Sequence, residues 1–209
     1  MPSWPDRLIP NFDRALRTLF APAHARRENP AGDLAGAALT DAERRLAGGL
    51  MRVNHTGEVC AQALYQGQSL TARQHDNRNS LEQAAGEELD HLAWCESRLE
   101  ELGARTSVLN PLFYVTSFAL GAAAGLAGDR WSLAFVVETE RQVEQHLSGH
   151  LQALPMSDER SRAIVEQMRS DEQAHGAMAT AMGAARMPAP LRGAMRLVAR
   201  LMTRTVYHF

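Results

Sequence analysis

The chain predicts an all-α fold, a four-helix bundle assembled from two helical hairpins. Helix start and stop signals recur along it while alternating strand patterns are nearly absent. Short polar turns, at residues 75–79 and 155–158, separate the first helix from the second and the third from the fourth. Between the two pairs lies a long uncharged stretch, residues 106–128, too long for a turn. With 209 residues, 45% of them hydrophobic, the chain can bury one sizeable core.

The elements follow in order. In residues 1–39, Trp4, Leu8, Ile9, Phe12, Leu16 and Phe20 recur at the spacing of an amphipathic helix. Residues 21–39, rich in Ala, Gly, Pro and Arg, predict a mobile linker, so the main domain is expected at 40–209. Thr40-Asp41-Ala42-Glu43 is a capping box, opening a first bundle helix that runs to about Gln74. Ser80-Leu81-Glu82-Gln83 is a second box, opening a helix that Gly103 closes. Asn110-Pro111 fits an N-cap and first position for a crossover helix. Asp129 can cap the third bundle helix, which must stop before Pro155; Ser157 or Asp158 can cap the fourth, which ends near Gly183. One long crossover between two hairpins is the ferritin-like form of the bundle.

Two stretches point to a lipid surface. Residues 112–128 carry no charge and are rich in Phe, Leu, Ala and Gly, but seventeen residues fall short of the roughly twenty needed to span a bilayer. They predict a helix packed on the bundle and dipping into the bilayer surface, the alternative being a wholly internal crossover. Near the C-terminus Arg192, Arg196, Arg200 and Arg204 repeat every four residues, with Leu191, Met195, Val198, Leu201 and Met202 on a neighbouring face. Such a helix suits anionic lipid, or equally a protein partner or the end of the core.

Composition excludes several chemistries. A net charge of −2 and a pI near 6.4 give nucleic acid no basic surface. All 22 basic residues are Arg, which removes Schiff-base and P-loop lysine chemistry. Cys60 and Cys95 lack Cys-x-x-Cys spacing and fall within predicted helices, so they are expected as reduced packing residues. The first fourteen residues hold no continuous apolar run, so a cleaved secretory signal is not expected.

What remains is carboxylate and imidazole. Glu87-Glu88-Leu89-Asp90-His91 and Asp171-Glu172-Gln173-Ala174-His175 both spell acid-Glu-x-x-His. A random chain of this composition is expected to hold only about 0.07 of these phrases, so two are informative. Residues three apart share a helix face, so each Glu-x-x-His is two arms of a chelate. Another Glu stands about thirty residues upstream of each, Glu58 before Glu88 and Glu140 before Glu172. Four carboxylates and two imidazoles form the ligand set of a di-iron or di-manganese bundle, and an oxygen-rich set suits iron or manganese better than zinc or copper(I). On the third helix periodicity leaves Glu138, Glu140 and Glu144 open, with Glu140 and Glu144 on one face. Glu87 and Asp171 are candidates to accept the second N–H of the ligating His on the opposite hairpin. His146 and His150, spaced i, i+4, are open to three readings, a separate zinc pair, histidines supporting the ligands of the centre, or surface histidines.

Together, Arg52-Val53-Asn54-His55-Thr56-Gly57-Glu58, Glu87-Glu88-Leu89-Asp90-His91, Phe118-Ala119-Leu120-Gly121, Val137-Glu138-Thr139-Glu140 and Asp171-Glu172-x-x-His175 resemble the demethoxyubiquinol hydroxylase family of ubiquinone biosynthesis, over roughly residues 40–209. The resemblance implies metal ligands Glu58, Glu88, His91, Glu140, Glu172 and His175, holding two iron ions per chain. It implies a monooxygenase that hydroxylates the ring of a polyprenyl demethoxy-benzoquinol with dioxygen. Two ferrous ions supply two electrons, one oxygen atom enters the ring and the other leaves as water. Such a substrate places the protein at the cytoplasmic face of the cell membrane as a peripheral protein, with a homo-oligomer or a larger biosynthetic complex as possible assemblies. The competing readings are iron storage or peroxide scavenging, which use the same ligands, and a metal-free membrane-associated adaptor.

Overall fold

The computed structural model describes residues 4–209, with side-chain surroundings from residue 9 onward. The described residues form seven helices and no strand: α1 (Trp4–Phe20), α2 (Asp41–Thr71), α3 (His75–Glu101), α4 (Asn110–Leu126), α5 (Asp129–Ala153), α6 (Glu159–Ala181) and α7 (Ala189–Val206). α2 with α3 and α5 with α6 are the two hairpins, and α4 is the crossover, lying along α2. The expected Trp4 and Leu8 side-chain positions lie outside the described residues.

Local signals set most boundaries. Thr40 and Glu43 close the capping box in both directions, with Thr40 Oγ1 accepting from Glu43 N and a Glu43 carboxylate oxygen accepting from Thr40 N. Asp158 caps α6 by accepting from Ser161 N at 3.0 Å. Gly103, at φ +66°, ends α3 in the left-handed conformation that a side chain would oppose.

Three boundaries differ from the sequence reading, each because a distant group supplies what the local sequence does not. α2 stops at Thr71 and α3 starts at His75, so residues 75–79 are helix and Ser80 lies inside it. The Asp129 carboxylate accepts from Arg73 N at 3.0 Å and from Gln74 N at 2.8 Å, capping the approach to α3 from the other hairpin. Arg78 donates to Ser69 O and Ala72 O at the open end of α2. Asp129 is therefore not the cap of its own helix, where Gly128 at φ +115° holds that place. Leu109, not Asn110, precedes α4, because the Asn110 side chain is drawn to Thr56 Oγ1, which donates to it at 2.8 Å.

The crossover meets α2 through glycine. A Cβ on Gly67 would strike Phe118 O and Ala122 N, and one on Gly121 would strike the Leu64 backbone, so the two helices approach backbone to backbone. Tyr114 Oη donates to Gln66 Oε1 and Thr71 Oγ1 to Ala122 O. The outer face of α4 leaves Leu112, Val115, Leu120 and Leu126 exposed. None of the described helices is long and apolar enough to cross a membrane.

Residues 21–39, expected to be a mobile linker, are fastened instead. Ala23 N donates to Glu96, Arg26 N to Asp90, and Arg160 Nη1 to Leu34 O, while Ala31 is buried in the core. The composition suggested flexibility; acids on α3 and an arginine on α6 supply the anchors. α7 exposes Leu197, Val198 and Leu201, yet its end is seated: Val206 is buried and Tyr207 O accepts from Arg52 Nη1 at 2.8 Å.

The core falls into layers. One apolar cluster gathers Leu50 and Met51, Trp94 and Leu99, Leu147, and Ile164 and Met168 from the four bundle helices. A second gathers Tyr65, Leu81, Leu133, Val136 and Ala179. On every bundle helix the candidate ligands lie between the residues given to one cluster and those given to the other. Each buried Leu, Ile or Met contributes roughly 1.5–3 kcal/mol, so the apolar layers hold the bundle and leave the polar layer free for chemistry.

Candidate metal centre

Six side chains from four helices converge in the polar layer, all of them buried: Glu58 from α2, Glu88 and His91 from α3, Glu140 from α5, Glu172 and His175 from α6. They form two overlapping groups whose ligand atoms lie within 4.8 Å of one another, Glu58, Glu88, His91 and Glu172, and Glu88, Glu140, Glu172 and His175. Glu88 and Glu172 belong to both. The i, i+3 spacing acts as expected, with His91 Nδ1 at 2.9 Å from Glu88 Oε2 and His175 Nδ1 at 3.4 Å from Glu172 Oε2.

Both imidazoles therefore turn Nδ1 inward, and their outward Nε2 atoms meet the acids that precede the glutamates. His91 Nε2 lies 2.9 Å from Asp171, and His175 Nε2 lies 2.8 Å from Glu87. Each phrase thus serves the histidine of the other hairpin. A carboxylate at Nε2 keeps a proton there, so Nδ1 is the nitrogen that each histidine would offer to a metal in the cluster.

The three glutamates of α5 separate. Glu140 faces the cluster, Glu138 is occupied by Arg141 and Gln142, and Glu144 lies toward Ser148, Gln173 and Arg169. Tyr65 Oη donates to Glu140 Oε1 and its ring meets His175 edge-on. The sequence reading missed Tyr65, although it stands seven residues after Glu58, two turns along the same face of α2. It also missed Arg27, which bonds Asp171 and Asp90 from the segment before α2 and which no helical periodicity could place. His146 and His150 stack edge to face at 4.0 Å beside a cavity of 470 Å³ lined also by Tyr207 and His208, and belong to neither group. Cys60 and Cys95 are free thiols whose burial pushes them up, Cys60 to about 11, in keeping with packing roles.

The electrostatics show a site short of positive charge. Burial, reinforced by the Glu88 charge, lifts Glu58 well above the usual carboxylate range, and burial with Glu172 does the same to Glu140. Burial opposes ionisation of Glu88 too, but His91 and His175 hold it far below that range. Burial likewise disfavours imidazolium; the surrounding carboxylates prevail, raising His91 well above its usual value and His175 to about 12. The layer draws in protons to offset its buried carboxylates. Four ionised carboxylates with two neutral imidazoles would be balanced by two divalent cations, so donor set and charge both fit a pair of metal ions.

Comparison with known proteins gives the lineage. The family model for ubiquinone biosynthesis protein COQ7 matches residues 45–206, a span that takes in all six converging side chains. The chain belongs to the COQ7 family. Relatives named 3-demethoxyubiquinol 3-hydroxylase match almost end to end. That of Chromobacterium violaceum is 59% identical over 202 residues, covering 97% of this chain and 98% of its own length. That of Laribacter hongkongensis is 59% identical over 203 residues, with the same coverage of both chains. That of Dechloromonas aromatica is 56% identical over 205 residues, covering 98% of this chain and 99% of its own length. The COQ7 fold is a ferritin-like helical bundle, and the layered hairpins described above have that form.

Proposed function

We propose that this chain is a di-iron 3-demethoxyubiquinol 3-hydroxylase acting at a membrane surface. The observation that carries the reading is the polar layer itself, six buried oxygen and nitrogen donors in two overlapping groups, in a chain of the COQ7 family. Relatives of 55–59% identity bear that enzyme's name. An oxygen-rich donor set with one imidazole for each ion suits iron or manganese, and the hydroxylase reading takes iron of the two.

In this reading Glu58, Glu88, His91 and Glu172 would hold one ion and Glu88, Glu140, Glu172 and His175 the other, Glu88 and Glu172 belonging to both groups. Two ferrous ions held there would supply two electrons, with which dioxygen and two protons give a ring hydroxyl and water, and an external reductant or the quinol would return the pair to the ferrous state. The chain's own residues do the rest. Asp171 and Glu87 hold the Nε2 protons, Tyr65 orients Glu140 through its hydroxyl, and the apolar layers on either side keep bulk water from the charged groups.

The membrane part of the reading rests on exposed apolar surface. Ile9, Phe12 and Phe20 of α1 and Leu112, Val115 and Leu126 of α4 are exposed, and α7 presents its arginine row beside Leu197, Val198 and Leu201. These faces suit peripheral attachment at the cytoplasmic side of the cell membrane, where a hydrophobic quinol resides.

The test is iron per chain after anaerobic reconstitution with ferrous salt, in the native protein and in Glu88→Ala, followed by dioxygen uptake with a demethoxyubiquinol. Two irons in the native protein, their loss in the variant and uptake matched to product support the reading. One iron or none, or an unchanged variant, removes it. Dioxygen uptake without hydroxylated product would favour peroxide or iron handling instead.

A further inference from the structure

The two histidines of the centre are held by different means. On the His175 side, Glu87 is 36% exposed, and its other bond is to Gln83 Nε2 at 3.2 Å, one turn away on the same helix. On the His91 side, Asp171 is 15% exposed and accepts from Gln167 Nε2 at 2.9 Å and from Arg27 Nη1 at 2.8 Å. Arg27 Nε also donates to Asp90 at 2.8 Å, next to His91 in the chain. Its guanidinium lies 4.8 Å from the centroid of the Trp94 ring, which in turn lies 5.4 Å from the His91 ring. The arm that carries Arg27 is pinned by two backbone bonds, Ala23 N to Glu96 at 2.9 Å and Arg26 N to Asp90 at 2.6 Å.

Resting on the reading that this cluster binds two metal ions, we propose that Arg27 is a positioning residue that makes the His91 position the tighter of the two. Its planar fork joins two carboxylates that would otherwise repel, and fixes Asp171 where it accepts the His91 Nε2 proton. His91 then stays in the tautomer whose Nδ1 faces Glu58, Glu88 and Glu172. The stack on Trp94 restricts the guanidinium further. Among the described residues no arginine pairs with Glu87, so His175 is held by a carboxylate that can swing into solvent. The arm is thus a strap across one side of the centre only, and the matched phrases on α3 and α6 yield unequal sites.

The experiment uses the full chain, metal-free, and cobalt(II) alone as the probe, added anaerobically and followed by d–d absorption. The native protein is expected to fill in two resolved steps. Arg27→Gln is expected to weaken the tighter step about 10–100-fold, the range for loss of a group supporting a metal-bound histidine, and to leave the weaker step unmoved. Asp171→Asn breaks the same link from α6 and is expected to reproduce that loss; it decides the matter if Arg27→Gln does not fold. Glu87→Gln should move only the weaker step. Glu96→Ala frees the arm at Ala23 without touching Asp171 and should move neither.

Two equal steps in the native protein, or an Arg27→Gln titration superimposable on it, overturns the inference while leaving the metal centre standing. A Glu96→Ala loss as large as that of Arg27→Gln overturns it as well, because the effect would then come from docking the arm. A native chain that takes up no cobalt or ferrous ion takes down both the inference and the reading beneath it.

Discussion

The acid-Glu-x-x-His phrases of α3 and α6 are nearly interchangeable as text and quite different as places. Both bury their Glu and His in one polar layer, and both lend their leading acid to the histidine of the other hairpin. Asp171 is enclosed and gripped by an arginine from outside the bundle; Glu87 is half open and holds a glutamine one turn back. A repeated phrase therefore specifies which atoms face the polar layer, and the surrounding chain specifies how firmly they are held there.

The heaviest blow to this comparison is to remove a ligand that the two halves share. Glu172→Ala takes an oxygen from both groups and should abolish hydroxylation and the retention of both ions, a loss beyond the roughly 10–100-fold of supporting groups. Glu58→Ala and Glu140→Ala each strip one group and should leave the other able to hold a single ion. Metal analysis with circular dichroism checks this, since the apolar layers should keep the helices intact. A Glu172→Ala protein that retains two ions would end the idea of a shared ligand.

Next come the leading acids. Asp171→Asn should cost activity toward the upper end of that 10–100-fold range and Glu87→Gln toward the lower, read as kcat/KM in parallel assays. Equal losses would mean that burial and the arginine add nothing to a carboxylate's hold.

The hairpins also differ in what rests on them. α2 carries the crossover backbone against Gly67, whereas among the described residues nothing lies near the missing Cβ of Gly149 on α5. Gly67→Ala should destabilise by about 1–3 kcal/mol through overpacking, while Gly149→Ala should stabilise by about 0.5–1 kcal/mol through helix propensity. Opposite signs in urea denaturation are the expected result; a neutral Gly67→Ala would show that α4 can move off α2.

Histidines of the second hairpin contrast in pH response. Carboxylates raise His175, whereas burial lowers His150 to about 3. A histidine depressed by folding stays neutral in the native state, and the unfolded chain takes its proton as pH drops below about 6.5. Stability is therefore full above that value and declines from there toward pH 3. The loss should be about 1 kcal/mol by pH 5.5, and His150→Gln should flatten this part of the acid limb in denaturation curves. An unchanged limb would mean that His150 is protonated in the fold.

Much of this was legible in the residues, for definite reasons. The i, i+3 rule is local, so Glu88 with His91 and Glu172 with His175 follow from helix geometry alone. The capping box at Thr40 and the cap at Asp158 are local as well, and both occur where expected. Glu140 was a different matter: periodicity left three glutamates standing, resemblance to a family singled one out, and the structure turns Glu140 into the cluster while Glu138 pairs with Arg141 one turn along α5. Ser80 misled because a real capping signal was overridden by Asp129, more than forty residues away, and residues 21–39 misled because composition says nothing about which distant acids await a backbone N–H.

By itself, then, the sequence determined the all-α class, the two hairpins with their uncharged crossover, and the four donors that sit in repeated phrases. Each of these depends on residues close along the chain, where helix geometry alone fixes who faces whom. The tertiary structure decided what depends on separation in sequence and nearness in space: the glycine contact of α2 with α4, Tyr65 on Glu140, and Arg27 reaching over one half of the centre and not the other. Those contacts arise only when two apolar layers close around a buried charge, and no local pattern encodes which carboxylate an arm will meet.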